Sequence, residues 1–532
     1  MPFWDQWRGY IDFYMHADGW GAYWAPHNEH RIIVSKLIFW ADNRWFGGRN
    51  VLSLVASYVL LMVLCAALCW RGARYLREPV ARLALVGVVG ILMFSWVQWE
   101  NLIWAFQSQW YAVSLFALLA FMCMERGEEW RWIVGAIAFA ALSMGSMANG
   151  LIAFPMLVVL ALYMRMEWKR VAVLALVCAF AIAAYTYHLH NADYIPLSYA
   201  LHTMPREVAR FVILYLGGPM WGARQSLRLT FLFGGLWLFG AVLAVTMLVV
   251  RYREPRRLHA SAIAAMAGFI FLTAVVTALG RVPLLGSGVA MASRYESAAL
   301  VGWVALLIFF AANCATRFQL ALVGAAALTV VALVAPYQDA ALKPMAERTF
   351  KLNAGGLALR AGVFDSPLVN ALNDDHALLV DVAARARNSA QGLSIFANPS
   401  RDYPEPVAPV LAALPCVGMV DSSAKASEKS TLAQINGWAY GPGGAPAAHV
   451  VITDPAGTPI GYGIGGEPRP NQATGHSDDR SGWVALFAPR SDYTVVVTDT
   501  AGQRCFVQHE PNSLALHRVR QDVQGFVFRF AA

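Results

Sequence analysis

Long apolar segments recur through the first two thirds of the chain, and they constrain its fold more than any other feature. A helical run of about 20 apolar residues crosses roughly 30 Å of hydrocarbon. Ten runs are predicted to span a membrane, at about 51–70, 83–98, 110–124, 132–149, 150–164, 171–187, 229–250, 260–279, 297–315 and 319–337. No comparable run follows Tyr337. The sequence therefore predicts an all-α polytopic membrane bundle followed by a soluble tail.

The composition agrees with a membrane protein and excludes several other classes. Of the 532 residues, 58% are hydrophobic and only 14% are charged, whereas a soluble domain is nearer half apolar and a quarter charged. These proportions exclude a disordered chain, a collagen and a disulfide-dense scaffold. The 19 Trp residues and the net charge of +8 fit aromatic belts and basic loops, so the charge does not indicate binding to nucleic acid.

Arginine and lysine are distributed unequally between the loops, and cytoplasmic loops carry the excess in membrane proteins. One alternate set of loops holds fourteen of these residues: Arg71, Arg74, Arg77, Arg82, Arg126, Arg131, Arg165, Lys169, Arg170, Arg251, Arg253, Arg256, Arg257 and Arg317. The other set holds six: Arg206, Arg210, Arg224, Arg228, Arg281 and Arg294. The first set is predicted to be cytoplasmic. Residues 1–50, 98–109, 188–228, 280–296 and the tail from 338 are then predicted to be periplasmic, at a bacterial inner membrane.

Residues 1–50 are predicted to lie outside although no apolar segment precedes them to carry them across. Two explanations stay open. Either the helix at 51–70 carries the segment across, or an earlier spanning helix is missing from this sequence. The choice bears on function, because in the second case the first outside loop begins where the sequence begins.

The same fifty residues concentrate titratable side chains beside the predicted membrane. They include Asp5, Asp12, His16, Asp18 and the motif His27-Asn28-Glu29-His30-Arg31. Residues 31–46 combine apolar and charged side chains as in an amphipathic helix lying in the interface. The motif is interpreted either as part of a functional site or as a network at the start of that helix. His27 and His30 with Glu29 only weakly indicate a metal site.

The second outside loop, residues 96–110, contains four Trp, three Gln and Glu100. Aromatic faces with amide and acid groups between them suit a sugar, whose C–H faces stack while its hydroxyls need hydrogen bonds. The alternative is an aromatic anchor at the interface. Glu100 is the informative residue beside Trp99, because a carboxylate at membrane level is costly unless it is used or paired.

The third outside loop, residues 280–296, carries Arg281, Arg294, Tyr295 and Glu296. Arginine presents a planar fork of donors that fits phosphate oxygens, which predicts a contact to a lipid phosphate. The alternatives are an ion pair of Arg294 with Glu296, or arginine side chains that reach the headgroups.

The tail is predicted to divide into two parts. The first part, 338–415, reads as amphipathic helix over 338–400, for example at 376–388, and then as a stretch rich in proline (Pro399, Pro404, Pro406, Pro409 and Pro415). Residues 416–532 contain about seven short alternating runs separated by turn residues, which predicts a β-sandwich. The four domains are thus 1–50, 51–337, 338–415 and 416–532. Cys416 and Cys505 are predicted to form a disulfide, because an oxidising compartment permits one.

These motifs together resemble the GT-C superfamily of integral-membrane glycosyltransferases, which use polyprenyl-phosphate-linked sugars. The resemblance lies in Pro2-Phe3-Trp4-Asp5-Gln6-Trp7, the motif at 27–31, Ser293-Arg294-Tyr295 and residues 359–365 (LRAGVFD), which look like uncharacterised bacterial members. It implies a membrane bundle with a soluble domain on the face where chemistry occurs. It also implies a catalytic carboxylate at the start of the first outside loop, and the residue in that place is Asp5.

The resemblance and the chemistry of sugar transfer assign roles to the remaining candidates. An acceptor hydroxyl needs a base, for which Asp5 is the first candidate, with Glu29 and Asp18 as alternatives. The leaving polyprenyl phosphate needs stabilisation by Arg, Lys or a divalent cation such as Mg²⁺ or Mn²⁺. The predicted substrate contacts are His27, His30, Arg31, Trp99, Glu100, Arg281, Arg294 and Tyr295. The acceptor is expected to be a cell-envelope glycan or glycolipid.

Three other functions remain open. A flippase or transporter of lipid-linked sugar should carry ionisable residues within its spans, and the predicted spans are nearly free of charge. A polymerase or ligase of lipid-linked glycan would differ mainly in its acceptor. A binding module on a membrane anchor would not need ten spans.

Overall fold

The structure, a computed structural model, describes residues 2–187, 189, 197–251, 260–373, 375–389, 393–397, 414–469 and 480–508. The α-helices in these ranges are α1 (Phe13–Met15), α2 (Trp20–Trp24), α3 (Ile33–Phe46), α4 (Val51–Ala73), α5 (Pro79–Met93), α6 (Trp99–Ile103), α7 (Ser108–Arg126), α8 (Trp130–Met144), α9 (Ala153–Tyr163), α10 (Trp168–Thr186), α11 (Leu197–Thr203), α12 (Pro205–Arg224), α13 (Leu227–Arg251), α14 (Ser261–Leu285), α15 (Ser293–Asn313), α16 (Arg317–Val334), α17 (Gln338–Arg360) and α18 (His376–Asn388). The strands are β1 (Val417–Lys425), β2 (Ala433–Tyr440), β3 (Ala447–Thr453), β4 (Pro459–Glu467), β5 (Gly482–Phe487), β6 (Thr494–Asp499) and β7 (Arg504–Val507).

Among the described residues, eight helical segments are long and apolar enough to cross a membrane, as in a multi-pass membrane protein. They are Val51–Ala73, Pro79–Ile103, Ala105–Arg126, Trp168–Thr186, Leu227–Val250, Ser261–Leu285, Ser293–Asn313 and Arg317–Val334. Two further apolar helices, Trp130–Met144 and Ala148–Tyr163, are shorter. Every predicted apolar run therefore coincides with an apolar helix, and eight of the ten have the length of a full crossing.

Local sequence explains where several of these helices begin. Pro79 and Pro205 stand at the start of α5 and α12, a position where the missing N–H group costs no hydrogen bond. Thr316 caps α16: its hydroxyl accepts from the Gln319 N–H at 3.2 Å, and the Gln319 side chain accepts from the Thr316 N–H at 3.3 Å. Such a reciprocal capping box satisfies two main-chain donors.

The helices differ in their place within the bundle. Of the most apolar 18 residues in each helix, 78% are buried inside the protein in α7 and in α15, whereas 17% are buried in α16. Beyond its first turn, the large exposed side chains of α16 are apolar, for example Leu322 and Leu328, as a lipid-facing surface requires. Helices α12 and α13 approach closely at Gly217, where a Cβ atom would lie 1.9 Å from the Thr230 carbonyl oxygen.

The chain divides into two compact units, and the division differs from the predicted domain boundaries. Among the described residues, one unit contains 16–40 and 51–341, and the other contains 2–15, 41–50 and those from 342 onward. The fifty residues treated as one loop are therefore shared between the units. The boundary falls within α3, the amphipathic helix that the sequence predicts over 31–46.

The second unit combines short helical segments with an antiparallel sheet. Arg385 of α18 pairs with Asp12 at 2.8 Å and with Asp381 at 2.7 Å. The strand order is β1-β2-β5-β4-β3-β6-β7, and Val484 of β5 packs against Phe350 and Ala354 of α17. The predicted antiparallel β-region is confirmed, although all seven strands are hydrogen-bonded in one sheet and the two-sheet sandwich stays a prediction. Apart from Pro415, the proline-rich stretch lies outside the described residues, as do Arg253, Arg256 and Arg257.

The two outer strands of this sheet are joined to each other. The Cys416 N–H donates to the Phe506 carbonyl at 2.8 Å, and the Phe506 N–H donates to the Leu414 carbonyl at 3.0 Å. Cys416 and Cys505 form a disulfide with a Cα–Cα distance of 5.1 Å. The sheet therefore curls until its first and last strands meet.

Candidate functional site

A tight turn presents Glu29 at one end of the bundle. The main chains of His27 and His30 exchange two hydrogen bonds, of 2.7 and 3.0 Å. Between them Asn28 adopts a left-handed conformation with φ of 52°, which asparagine tolerates better than most residues. The His27 ring is buried and lies 5.3 Å from the Phe106 ring. The motif at 27–31 thus forms a local hairpin whose tip carries Glu29.

Two buried cations hold the segment before this turn. The Arg31 guanidinium is 2% exposed and donates to the main-chain carbonyls of Trp24, Tyr185 and Tyr187. It also lies 4.6 Å from the centroid of the Trp24 ring. The sequence predicts a substrate contact for Arg31, whereas here its donors are directed at the main chain. Its position therefore fits a role in fixing the loop.

Lys36, on the first turn of α3, is the second of these cations. Its Nζ atom donates to the carbonyls of Ala22 at 2.8 Å and Ala25 at 2.6 Å, which belong to the last turn of α2. Burial, together with the charge of Arg31, lowers the pKa of Lys36 to about 8. A cation at the C-terminal end of a helix satisfies carbonyl groups that have no partner within the helix. Lys36 and Arg31 thus fix α2 and the turn that follows it.

The Glu29 carboxylate pairs with Arg281, which lies near the end of α14. The Nε2 atom of His30 lies 3.5 Å from the same carboxylate. Burial alone raises the pKa of Glu29, but the charges of His30 and Arg281 outweigh this effect and leave the pKa below its usual range. Glu29 therefore stays ionised at neutral pH. At 42% exposure for Glu29 and 31% for Arg281, both groups remain accessible to a ligand.

The second outside loop is attached to the start of α15. The Glu100 carboxylate accepts from the Arg294 N–H at 3.0 Å, and the Glu100 N–H donates to the Ser293 hydroxyl at 3.3 Å. The Asn101 amide donates to the Arg294 carbonyl at 2.8 Å and to the Ser297 hydroxyl at 2.9 Å. A carboxylate at a helix N-terminus is favourable because the N–H groups there have no partner within the helix. Glu100 is thus used as a helix cap.

A third carboxylate, Glu296, lies behind this network. It is 1% exposed, and neither of its carboxylate oxygens has a hydrogen-bond partner among the described residues. The carboxylate packs against Gly218 of α12, where a Cβ atom would lie 2.8 Å from Oε1. The Tyr215 hydroxyl, one turn earlier on α12, is also buried and has no hydrogen-bond partner in the part of the chain that the structure describes. Burying a polar group of this kind costs folding free energy unless a hydrogen bond or an opposite charge compensates it.

The sequence does not identify Glu296 as a site residue, and it offers an ion pair with Arg294 instead. That alternative is wrong, because residues two apart on a helix point to different faces. Arg294 is half-buried and lies over the Tyr295 ring at 5.4 Å, whereas Glu296 points into the core. In the sequence, Glu296 is an acidic residue directly before an apolar run, and this position is the signal that could have identified it.

The remaining candidates are placed as follows. Tyr295 is buried, with its ring 5.5 Å from Trp110 and 5.3 Å from Tyr215. Trp99 is half-buried at the start of α6, and Asp18 is exposed before α2. Asp5 is half-buried and belongs to the other compact unit. The bundle thus brings Glu29, His30 and Arg281 together, and it brings Glu100 to Arg294.

A divalent cation has no evident binding site in the part of the chain that the structure describes. No group of three or more His, Cys, Asp or Glu residues there is placed to hold a metal ion. The carboxylate nearest to such a role, Glu29, is paired with a cation instead. The proposal below therefore routes no step through a metal.

Comparison of the chain with protein-family models, with curated proteins and with solved structures finds no significant match.

Proposed function

We propose that the protein is a glycosyltransferase of the bacterial inner membrane. It would move a sugar from a polyprenyl-phosphate donor to a cell-envelope glycan or glycoconjugate on the periplasmic face. The observation that carries the proposal is the pair of Glu29 and Arg281. Transfer of a sugar from a lipid phosphate requires a base and a cation that stabilises the leaving phosphate. The Glu29 carboxylate and the Arg281 guanidinium supply these two groups side by side, and both are accessible at the end of the apolar helices.

The proposed reaction uses each group once. The oxygen of the acceptor hydroxyl attacks the anomeric carbon, and its proton passes to the Glu29 carboxylate. The bond between the anomeric carbon and the phosphate oxygen breaks, and its electron pair leaves with the polyprenyl phosphate. Arg281 stabilises the negative charge that grows on that phosphate, because a guanidinium fork matches phosphate oxygens.

The contact between Glu29 and Arg281 also explains how the carboxylate becomes a better base. Arg281 and His30 lower the pKa of Glu29 against the effect of burial. A donor phosphate bound to Arg281 would offset that positive charge. The pKa of Glu29 would then rise toward neutral pH, where a general base works best. The carboxylate thus gains basicity when the donor is in place.

The other residues take supporting roles in this proposal. Trp99 would stack on the sugar beside Glu100, and Arg294 with Tyr295 would line the donor site. Arg31 and His27 would hold the turn that carries Glu29. Asp5 and Asp18 remain alternative bases, with Asp5 favoured by the resemblance to the GT-C superfamily. All ten apolar helices would cross the membrane, and the curled sheet would be a periplasmic β-sandwich.

The test measures released polyprenyl phosphate from purified protein in nanodiscs, given a panel of polyprenyl-phosphate sugars and an envelope glycan extract. We expect release by the wild type and a loss of about 100-fold or more in Glu29→Gln and Arg281→Gln. Glu347→Gln is the matched control, because this exposed carboxylate pairs with Lys351 of the same helix. Asp5→Asn and Asp18→Asn complete the series.

Each result has a defined meaning. If Asp5→Asn or Asp18→Asn no longer releases polyprenyl phosphate while Glu29→Gln still does, the protein is a transferase and the base is Asp5 or Asp18 instead of Glu29. Equal loss in Glu347→Gln would show that the series reports on folding. No release with any donor, although the donors bind, would overturn the proposal. A glycan polymerase or ligase would release the same product but require a lipid-linked glycan as the acceptor.

A flippase of lipid-linked sugar is the second candidate, and Glu296 is the observation that favours it. Transporters place ionisable residues within their spans, and Glu296 is buried in the first turn of a spanning helix. The two functions separate in proteoliposomes. A flippase moves a labelled donor between leaflets without releasing polyprenyl phosphate, whereas the transferase releases it.

A further inference from the structure

A pocket of about 220 Å³ lies where α4 and α7 end. It is lined by Trp70, Arg71, Arg74, Met122, Glu125 and Arg126. Ser261, the first residue of α14, donates to Glu125 at 3.2 Å. Arg281 lies twenty residues further along α14, which at 1.5 Å per residue is about 30 Å away. The pocket is thus at the opposite end of the bundle from Glu29.

The lining carries more positive charge than its single carboxylate can balance. Glu125 pairs with Arg71 and accepts from the Tyr75 hydroxyl as well as from Ser261. Among the described residues, no carboxylate lies within ion-pair distance of Arg74 or Arg126. The Nε–H group of Arg71 is buried, and it has no acceptor in the described part of the chain. The pocket therefore offers donors and positive charge that its own side chains leave unused.

Two of these guanidinium groups lie over the same indole ring. The Arg74 guanidinium is 4.4 Å from the centroid of the Trp70 ring, and that of Arg126 is 5.8 Å away. The two cations therefore lie within about 10 Å of each other, comparable with the Debye length of about 8 Å. Their mutual repulsion is relieved if an anion sits between them.

We propose that this pocket binds an anionic phosphate group, and that the headgroup of an anionic membrane lipid supplies it. Guanidinium groups match phosphate oxygens in geometry as well as charge. Trp70 and Met122 provide an apolar wall beside the charges, and Trp side chains at the end of a spanning helix lie at the level of the headgroups. A lipid phosphate reaches that level without leaving the membrane.

The experiment titrates the full-length protein in detergent with phosphatidylglycerol, with phosphatidylcholine and with inorganic phosphate, and counts bound molecules by native mass spectrometry. The variant Arg74→Gln/Arg126→Gln removes the two unbalanced cations. The control Arg77→Gln/Arg317→Gln removes the same charge outside the pocket, where Arg317 is 94% exposed and pairs with Glu78. We expect wild type and control to bind one phosphatidylglycerol in preference to phosphatidylcholine, and the pocket variant to bind it about 30-fold more weakly.

The other outcomes are decisive as well. Equal affinity in the pocket variant and the control would overturn the site. Inorganic phosphate that binds as tightly as the lipid would keep the phosphate site but overturn the lipid as its source. The pocket variant could have a lower melting temperature than the control in the absence of lipid. In that case the variant Arg74→Lys/Arg126→Lys, which keeps both charges, tests whether the pocket binds the lipid. Retained binding there supports the site, and loss of binding with both charges kept would overturn it.

Discussion

Helix α14 meets a carboxylate at each of its ends, and the two meeting points are built differently. At one end, Ser261 donates to Glu125, which is paired with Arg71. At the other end, Arg281 of the same helix pairs with Glu29. Glu125 and Arg71 are 12% and 17% exposed, whereas Glu29 and Arg281 are 42% and 31% exposed.

The difference separates a contact that stabilises the fold from one that a ligand can replace. Glu125 has hydrogen bonds from Tyr75 and Ser261 in addition to its ion pair, so no partner is easily exchanged. Glu29 lies within ion-pair distance of Arg281 and His30 near the surface. Water or a phosphate can replace one of these contacts there. A carboxylate–arginine pair is therefore informative about function only together with its burial and its other partners.

The largest expected effect is at the buried pair. Glu125→Ala leaves the Arg71 cation without its partner, which in a buried pair costs about 3–5 kcal/mol of folding free energy. Thermal unfolding in nanodiscs, followed by tryptophan fluorescence, measures the loss. The double variant Arg71→Met/Glu125→Leu removes both charges and should lose less than the single one. A single variant as stable as the wild type would contradict the structural role of this pair.

Glu296 should respond in the opposite direction. Glu296→Met removes a buried carboxylate that has no hydrogen-bond partner among the described residues, so we expect a gain of about 1–3 kcal/mol in folding free energy. The matched control is Glu100→Met, which removes the acceptor of the Arg294 N–H and should destabilise the protein. The same thermal measurement compares them. Destabilisation by Glu296→Met would mean that the carboxylate has a partner in the folded protein, such as a bound water.

The accessible pair should matter least for stability. Glu29→Gln and Arg281→Gln should each change the folding free energy by no more than about 1 kcal/mol, because exposed ion pairs contribute little. A double-mutant cycle on thermal unfolding gives their coupling energy. A coupling as large as that between Arg71 and Glu125 would remove the contrast between the two ends of α14.

The smallest effect is the dependence of the Glu29 contribution on pH. A carboxyl group with a lowered pKa in the folded state stabilises the fold above its unfolded value of 4.5 and loses that contribution as the pH falls through the folded value. The difference in melting temperature between wild type and Glu29→Gln should therefore shrink on acidification to about pH 3. A difference that stays constant over this range would show that Glu29 is not the titrating group.

The helices of the bundle could be read from the sequence, whereas the pairs at their ends could not. A run of about 20 apolar residues is a local property, and each predicted run coincides with a helix. Glu29 and Arg281 were both candidates, but 252 positions separate them, and one sequence gives no information on a contact at that distance. Partner choice depends on packing, which also directs Arg31 to main-chain carbonyls instead of a ligand.

The same limit applies to the sheet and to Glu296. Alternation of apolar residues predicts strands, but β5 lies between β2 and β4, an order that the hydrogen bonds of the folded chain decide. The burial of Glu296 depends on the absence of a side chain at Gly218, which lies on another helix. The pattern of apolar residues predicts the helices and strands, whereas the three-dimensional arrangement shows which polar groups they enclose.

The disulfide between Cys416 and Cys505 has a consequence for biogenesis. It ties the residue before β1 to the seventh strand, so the bond can form only after β7 has been synthesised and lies in a compartment that oxidises thiols. Until then the main-chain hydrogen bonds between Cys416, Phe506 and Leu414 have no covalent support, and a strand edge that opens is the usual starting point for edge-to-edge aggregation. Expression in a host that lacks a thiol oxidase for the compartment of the sheet should therefore leave both thiols free and make the sheet more open to proteolysis and self-association.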